Sequence, residues 1–216
     1  MSAALLLALD TSTSNASVAV FDGHRVLSET TWLAGREHST RLLVEAQIGL
    51  ERVGKAPEHL TGLMVARGPG SFTGVRVALS VAKGMAAALR IPAWGVSSLD
   101  ALALAARDSV LPVRVVLEAG RGRYATALYD APGAQADPPR LMTLDALVES
   151  LNVSTIVIGE LTPEARQRLE QHPLARLAPE AACARRAGYV AELGWRLAQS
   201  GDPGDPGSLD AFYIST

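Results

Sequence analysis

Several features that announce function are scarce in this sequence. There is one cysteine, Cys183, among 216 residues, which rules out an internal disulfide and any multi-cysteine zinc site. A reducing cytoplasm is the simplest setting for such a chain. Net positive charge is missing: the formal charge is −2 and the isoelectric point about 6.1. No global field therefore holds a phosphate backbone through counterion release, and a self-sufficient RNA-binding module, which needs a basic aromatic surface, is disfavoured. Long hydrophobic runs are missing too. The apolar stretch from Ala3 to Leu9 is short, lacks a basic flank and ends in Asp10, unlike a signal peptide or a membrane span. Nor do the remaining histidines, His24, His59 and His172, lie beside a nucleophile pattern. What is plentiful is hydrophobic residues, 48% of the chain, enough to bury a real core in one large domain or two small ones. This is the composition of an ordinary soluble globular protein.

Residues 4–9 form a continuous apolar run that stops at Asp-Thr-Ser-Thr-Ser, the pattern of a buried strand entering a polar loop. Ala16 to Phe21 and Arg25 to Thr31 read as two strands joined across Asp22-Gly23, a pair suited to a tight hairpin turn. Leu42, Leu43, Ala46, Leu50 and Val53 recur at helical spacing between Ser39 and Gly54, with Val44 and Ile48 broadening the apolar surface. Thr61 to Ala66 is a fourth strand. The loop Arg67-Gly-Pro-Gly-Ser-Phe-Thr-Gly leads from it into a helix over 75–89, rich in small residues that let another backbone approach closely. Ile91 to Val96 is a short strand, and Ser97 or Ser98 caps a helix to about Arg107. The second half predicts strands at Val113 to Glu118, Arg123 to Tyr129 and Thr155 to Gly159. Its helices are predicted at Thr143 to Leu151, Thr162 to Gln171 and Cys183 to Ser200, with a loop from Ala131 to Arg140 and a flexible linker over Gly201 to Gly207. A strand ending in an acidic residue, Asp10 or Glu118, opens each half, which points to two related lobes divided as 1–108 and 109–216.

Three stretches carry a resemblance: LALDTSTSNASVAV at 7–20, REHS at 36–39, and ARGPGSFTGVRVALSVAKG at 66–84 with GVSSLDALA at 95–103 beside it. In order and spacing they resemble the TsaB (YeaZ) family. The resemblance implies an α/β fold of two ribonuclease-H-like lobes, in the superfamily of actin, sugar kinases and heat-shock-chaperone ATPases. It also implies a cytoplasmic complex with the homologous subunit TsaD and the ATPase TsaE, which forms N6-threonylcarbamoyladenosine beside the anticodon of tRNA. ATP and a metal ion are implied for the whole complex, with none held stably by this chain alone. The family pattern weakens later. Gly120 stands where the family has an arginine after Glu118-Ala119, and the closing Phe212-Tyr213-Ile214-Ser215 lacks the family's basic residue.

Asp10, Thr11 and Ser12 match a superfamily turn whose backbone N–H groups face phosphate. Thr and Ser after a strand serve equally as turn and cap residues that satisfy their own backbone. Gly68, Gly70, Ser71 and Gly74 lead into a helix N-terminus, which attracts anions, while Ser71 or Thr73 can simply cap that helix. The loop is not a Walker A motif, because Val75 and Arg76 follow Gly74 where Lys-Ser/Thr is required. His38 stands where the homologous catalytic subunit carries two histidines one helical turn apart. Here the residue four positions on is Leu42, so the metal pair cannot form. No catalytic or metal-binding residue is expected, and the working surface is expected on the two helices, at His38, Leu42, Leu43, Ala46, Leu50, Val75, Ala78, Ala82 and Met85. Those helices could join a pair from TsaD, or from a second copy, as a four-helix bundle. A small ATP-dependent kinase or hydrolase, with Asp10 and the glycine loop holding ATP, is the alternative.

Overall fold

The computed structural model describes residues 4–34, 38–130 and 134–214, with backbone alone for 38–40 and 134. Five strands form the first sheet: β1 (Leu6–Asp10), β2 (Asn15–Phe21), β3 (Val26–Leu33), β4 (Gly62–Ala66) and β5 (Ala93–Val96). Their order is β3-β2-β1-β4-β5, antiparallel from β3 to β1 and parallel from β1 to β5. The continuous apolar run of β1 is explained by burial on both faces. Leu7 and Leu9 point to one core, shared with α1 (His38–Arg52) and α2 (Phe72–Leu89). Leu6 and Ala8 point to the other core, which is closed by Val190 and Ala191 of α7 (Ala187–Gln199). Period-two alternation is thus hidden, because both sides of the strand need apolar residues. α2 has the length and hydropathy of a membrane span, yet its Val75, Ala78, Leu79, Ala82 and Ala86 are packed in the first core. A short helix, α3 (Ser98–Ala103), follows β5.

A second sheet repeats the plan with β6 (Val113–Glu118), β7 (Arg123–Asp130), β8 (Ala134–Gln135), β9 (Arg140–Thr143), β10 (Thr155–Gly159) and β11 (Ala175–Leu177). Its order is β11-β10-β6-β7-β8, with β9 also paired to β7. Again the β6–β7 pair is antiparallel and the β6–β10–β11 run parallel. Val116, Tyr124 and Val157 face Leu147 of α4 (Leu144–Glu149) and Ala165 and Leu169 of α5 (Pro163–Glu170). The expected α/β architecture of two related lobes is present, and each sheet carries the same strand order and directions.

The boundaries differ from expectation in instructive ways. The chain forms two compact units, Met1–Ala101 with Arg185–Phe212, and a second built on Leu102–Ala184. A single cut at 108 therefore fails, because the last long helix returns to the first unit to cover its sheet. The helix expected from Cys183 to Ser200 is broken into α6 (Glu180–Cys183) and α7, with Ala184 and Arg186 in extended backbone between them. β9 begins at Arg140, the end of the predicted loop, and β8 lies within it; Ala131, Pro132 and Gly133 fall outside the described residues. The predicted flexible linker is a fixed strap. Trp94 Nε1 donates to the Asp202 carbonyl at 3.0 Å, Ala93 N–H to the Gly204 carbonyl at 2.8 Å, and Phe212 N–H to the Arg67 carbonyl at 2.7 Å.

Candidate functional site

The Asp10 turn follows β1 and is packed under the loop that leads into α2. Asp10, Thr11 and Ser12 are fully buried. Asp10 Oδ1 accepts the Ser12 N–H at 2.9 Å and the Ser12 hydroxyl at 2.5 Å. Oδ2 accepts Arg185 Nε at 3.1 Å and Nη2 at 2.6 Å. The same guanidinium donates to the Ser98 carbonyl at 2.9 Å and to Ser12 Oγ at 3.2 Å. Both side chains of the ion pair are 1% exposed. A charge buried this deeply is tolerated because its partner and hydrogen bonds replace the lost water.

The glycine loop closes over this turn from the other side. Ser71 N–H donates to the Ser12 carbonyl at 2.6 Å, and the Thr11 hydroxyl to the Gly74 carbonyl at 2.6 Å. A Cβ at Gly70 would stand 2.1 Å from the Ser12 carbonyl oxygen, and one at Gly74 1.9 Å from that of Thr11. These glycines are required for backbone against backbone. At Gly68, whose φ is +101°, the left-handed conformation also demands glycine. Ser71 is the N-cap of α2 and accepts the Gly74 N–H at 3.2 Å. Of the two readings left open for this loop, the capping bond is present.

A nucleotide with its metal ion does not fit these residues. The Asp10 carboxylate is neutralised by Arg185, the Ser12 N–H and hydroxyl are turned onto Asp10, and the loop glycines meet carbonyl oxygens. Asp10, Thr11, Ser12, Gly68, Gly70, Ser71 and Gly74 are thereby brought together as a packed junction. Arg185 was missing from the sequence reading. One signal marked it: Arg185-Arg186 precedes a helix, where the positive end of the helix dipole disfavours cations. Glu29 relieves the second charge, accepting Arg186 Nη2 at 2.6 Å and the Gly188 N–H at 2.7 Å. The same carboxylate raises the Arg186 pKa by hydrogen bond and charge.

His38 opens α1, and its side chain lies outside the described residues. Leu42, one turn on, is fully buried in the first core, so that position faces the sheet. Among the described residues no three His, Cys, Asp or Glu side chains are grouped as metal ligands. His59 and His172 have local structural roles, each accepting a backbone N–H at Nδ1, from Ala56 and Leu174. Glu45 is paired with Arg41 at 3.0 Å, and Arg41 lies over the Trp32 ring.

The expected partner face needs correction. Leu42, Ala46, Leu50, Val75, Ala78 and Ala82 are core residues, at most 3% exposed, and cannot meet another protein. Helical periodicity identifies an apolar stripe but not what covers it, and here the sheet does. Met85 is half-buried, while Leu43, Val44 and Phe72 are exposed at 49%, 54% and 57%. α1 and α2 pack side by side. Along α2, Phe72, Thr73, Arg76, Val77, Ser80 and Val81 line an open groove of about 410 Å³, with the Arg76 guanidinium 3.5 Å from the Phe72 ring centre.

In the second unit, Gly120, Arg121 and Gly122 all have positive φ, at +71°, +55° and +68°. Gly120 in place of an arginine thus relieves strain in a hairpin that already holds Arg121 in the left-handed region. Below it is a concavity of about 610 Å³, lined by Tyr124 and by the helix caps Thr143 and Thr162 among others. Both caps accept their own helix N–H groups, and the Tyr124 hydroxyl meets Thr162 at 3.0 Å. Arg114 is buried, with Asp137 3.9 Å away, and burial lowers its pKa.

Comparison with known proteins bears on this geometry. Residues 32–172 match the family model described as TsaD: tRNA N6-adenosine threonylcarbamoyltransferase. The tRNA threonylcarbamoyladenosine biosynthesis protein TsaB of Bacillus subtilis is 36% identical over 124 residues, 57% of this chain and 54% of that protein. TsaB of Escherichia coli is 35% identical over 126 residues, with the same shares. The chain therefore spans about half the length of the curated relatives it matches. A solved structure from Pseudomonas aeruginosa, an uncharacterized protein with similarity to peptidase YEAZ, has a TM-score of 0.81 at 25% identity, covering 98% of this chain and all of the other.

Proposed function

From a chain that belongs to the TsaD family of tRNA N6-adenosine threonylcarbamoyltransferases, and within it to the TsaB (YeaZ) group, we propose a partner subunit and not a catalyst. It serves the formation of N6-threonylcarbamoyladenosine on tRNA in the cytoplasm by binding and activating a TsaD homologue, with the ATPase TsaE in the same assembly. Alone, it pairs with a second copy. Transfer RNA, ATP and metal ion are handled by the complex. The observation that carries this reading is the apolar surface of α1 and α2: Leu43, Val44 and the groove beside Phe72 and Arg76. An aromatic ring and an arginine stacked on the exposed face of a helix have the chemistry of interface anchors. Docking there favours one arrangement of the partner, a population shift and not a chemical step. The alternative kinase or hydrolase is disfavoured by the Asp10–Arg185 pair.

The test is to place a charge on this surface without touching the core. Leu43→Asp and Phe72→Asp, at residues exposed at 49% and 57%, are expected to retain the far-ultraviolet dichroism of the parent. Each should also weaken co-purification with the TsaD homologue by about tenfold or more, the scale of an interface anchor. Undiminished co-purification by both variants would remove α1 and α2 as the docking face.

A further inference from the structure

The Asp10 junction has a property that packing alone does not require. Its acceptors come from the end of β1, the turn after it and the start of the helix after β5, and are held in place without Arg185. Ser12 is fixed by Asp10 Oδ1 and by the Ser71 N–H at its carbonyl, and Ser98 is fixed by its own N–H on the Gly68 carbonyl at 2.9 Å. Together they present Asp10 Oδ2, Ser12 Oγ and the Ser98 carbonyl to one guanidinium. The Ser98 hydroxyl is fully buried and has no hydrogen-bond partner among the described residues, so a further polar group is held at the same junction. Arg185 arrives from 175 residues away, as the first residue of the segment that re-enters the first unit.

We propose that Asp10, Ser12 and Ser98 form a preorganised cradle for a planar cation, and that Arg185 is its resident occupant, locking the returning segment to the first unit. The fork of N–H donors explains why arginine is used. Nε and Nη2 meet one carboxylate oxygen while Nη1 reaches a carbonyl, a geometry that a lysine ammonium cannot reproduce. With the side chain removed, free guanidinium ion should enter the vacated cradle and restore what was lost.

The experiment uses the full chain with Arg185→Gly, followed by thermal unfolding in guanidinium chloride at about 5–50 mM, well below denaturing molar levels. Sodium chloride at equal ionic strength is the control. The substitution should lower Tm by roughly 6–15 °C, as expected when a buried pair loses one member. Guanidinium should then raise Tm saturably, whereas sodium chloride should not. The double variant Asp10→Asn/Arg185→Gly should show no such rise. A Tm of Arg185→Gly indifferent to guanidinium, or an equal rise in the double variant, overturns the proposal. Should Arg185→Gly fail to accumulate as folded protein, Arg185→Lys and Arg185→Met are compared instead. The cradle requires lysine to retain more of the parent Tm than methionine, and the reverse order sinks it.

Discussion

Gly74 leaves no room for a methyl group: its pro-Cβ direction runs into the Thr11 carbonyl oxygen at 1.9 Å. Gly74 lies within α2 and its carbonyl accepts the Thr11 hydroxyl, so this backbone-to-backbone approach does not yield as a side chain would. Gly74→Ala should cost about 2–4 kcal/mol, read from the urea midpoint, whereas Gly84→Ala, which meets nothing within 4 Å, should be neutral or stabilising. Cys183 offers a second test. Burial pushes its thiol pKa up from 9.0, although the Gly159 N–H, 3.4 Å from the sulfur, favours the thiolate. The unfolded chain thus releases this proton at lower pH than the folded one. Its contribution to stability is complete below the unfolded value and is lost as pH rises through the higher, folded value. Relative to the parent, Cys183→Ala should gain unfolding free energy as pH rises through and above the ordinary thiol range, as measured by urea denaturation at successive pH values.

The start of α7 depends on a different element for its cap. Arg186 supplies no capping side chain, and Glu29 of β3 accepts the Gly188 N–H in its place. Glu29→Ala should therefore cost about 1–2 kcal/mol, the range of a lost N-cap, with hydrogen exchange rising first in the opening turn of α7. Such cross-element support is what a sequence conceals. β1, β2, β4, the antiparallel pairing of β2 with β3 and helices α1 and α2 were legible, because periodicity is a local signal; the turn expected at Asp22-Gly23 is instead a longer connection that ends at Arg25. The Asp10 turn and the glycine loop were each legible as loops for the same reason, but not their packing on one another. Arg185 was not, since nothing local connects it to Asp10. The face of α1 was read inside out: Leu42 and Leu50 mark an apolar stripe, but only the sheet's position tells that the stripe is covered and that Leu43 and Val44 are left outside.

At the scale of the molecule, the first unit is made of two separated pieces of chain. Leu6, Ala8, Phe21 and Met64 have their apolar cover in Ala187, Val190 and Ala191 of the later piece. A chain ending at Ala184 should therefore expose one face of the first sheet, accumulate in the insoluble fraction, and bind a hydrophobic dye when refolded. Recovery of a monomeric, cooperatively melting product from that shortened chain would contradict the shared core. The same layout sets a schedule for synthesis. As the ribosome releases the chain from its amino end, the segment Leu102–Ala184 emerges whole and can condense at once, while the amino-terminal sheet must wait, half-dressed, for Arg185–Phe212 to leave the exit tunnel.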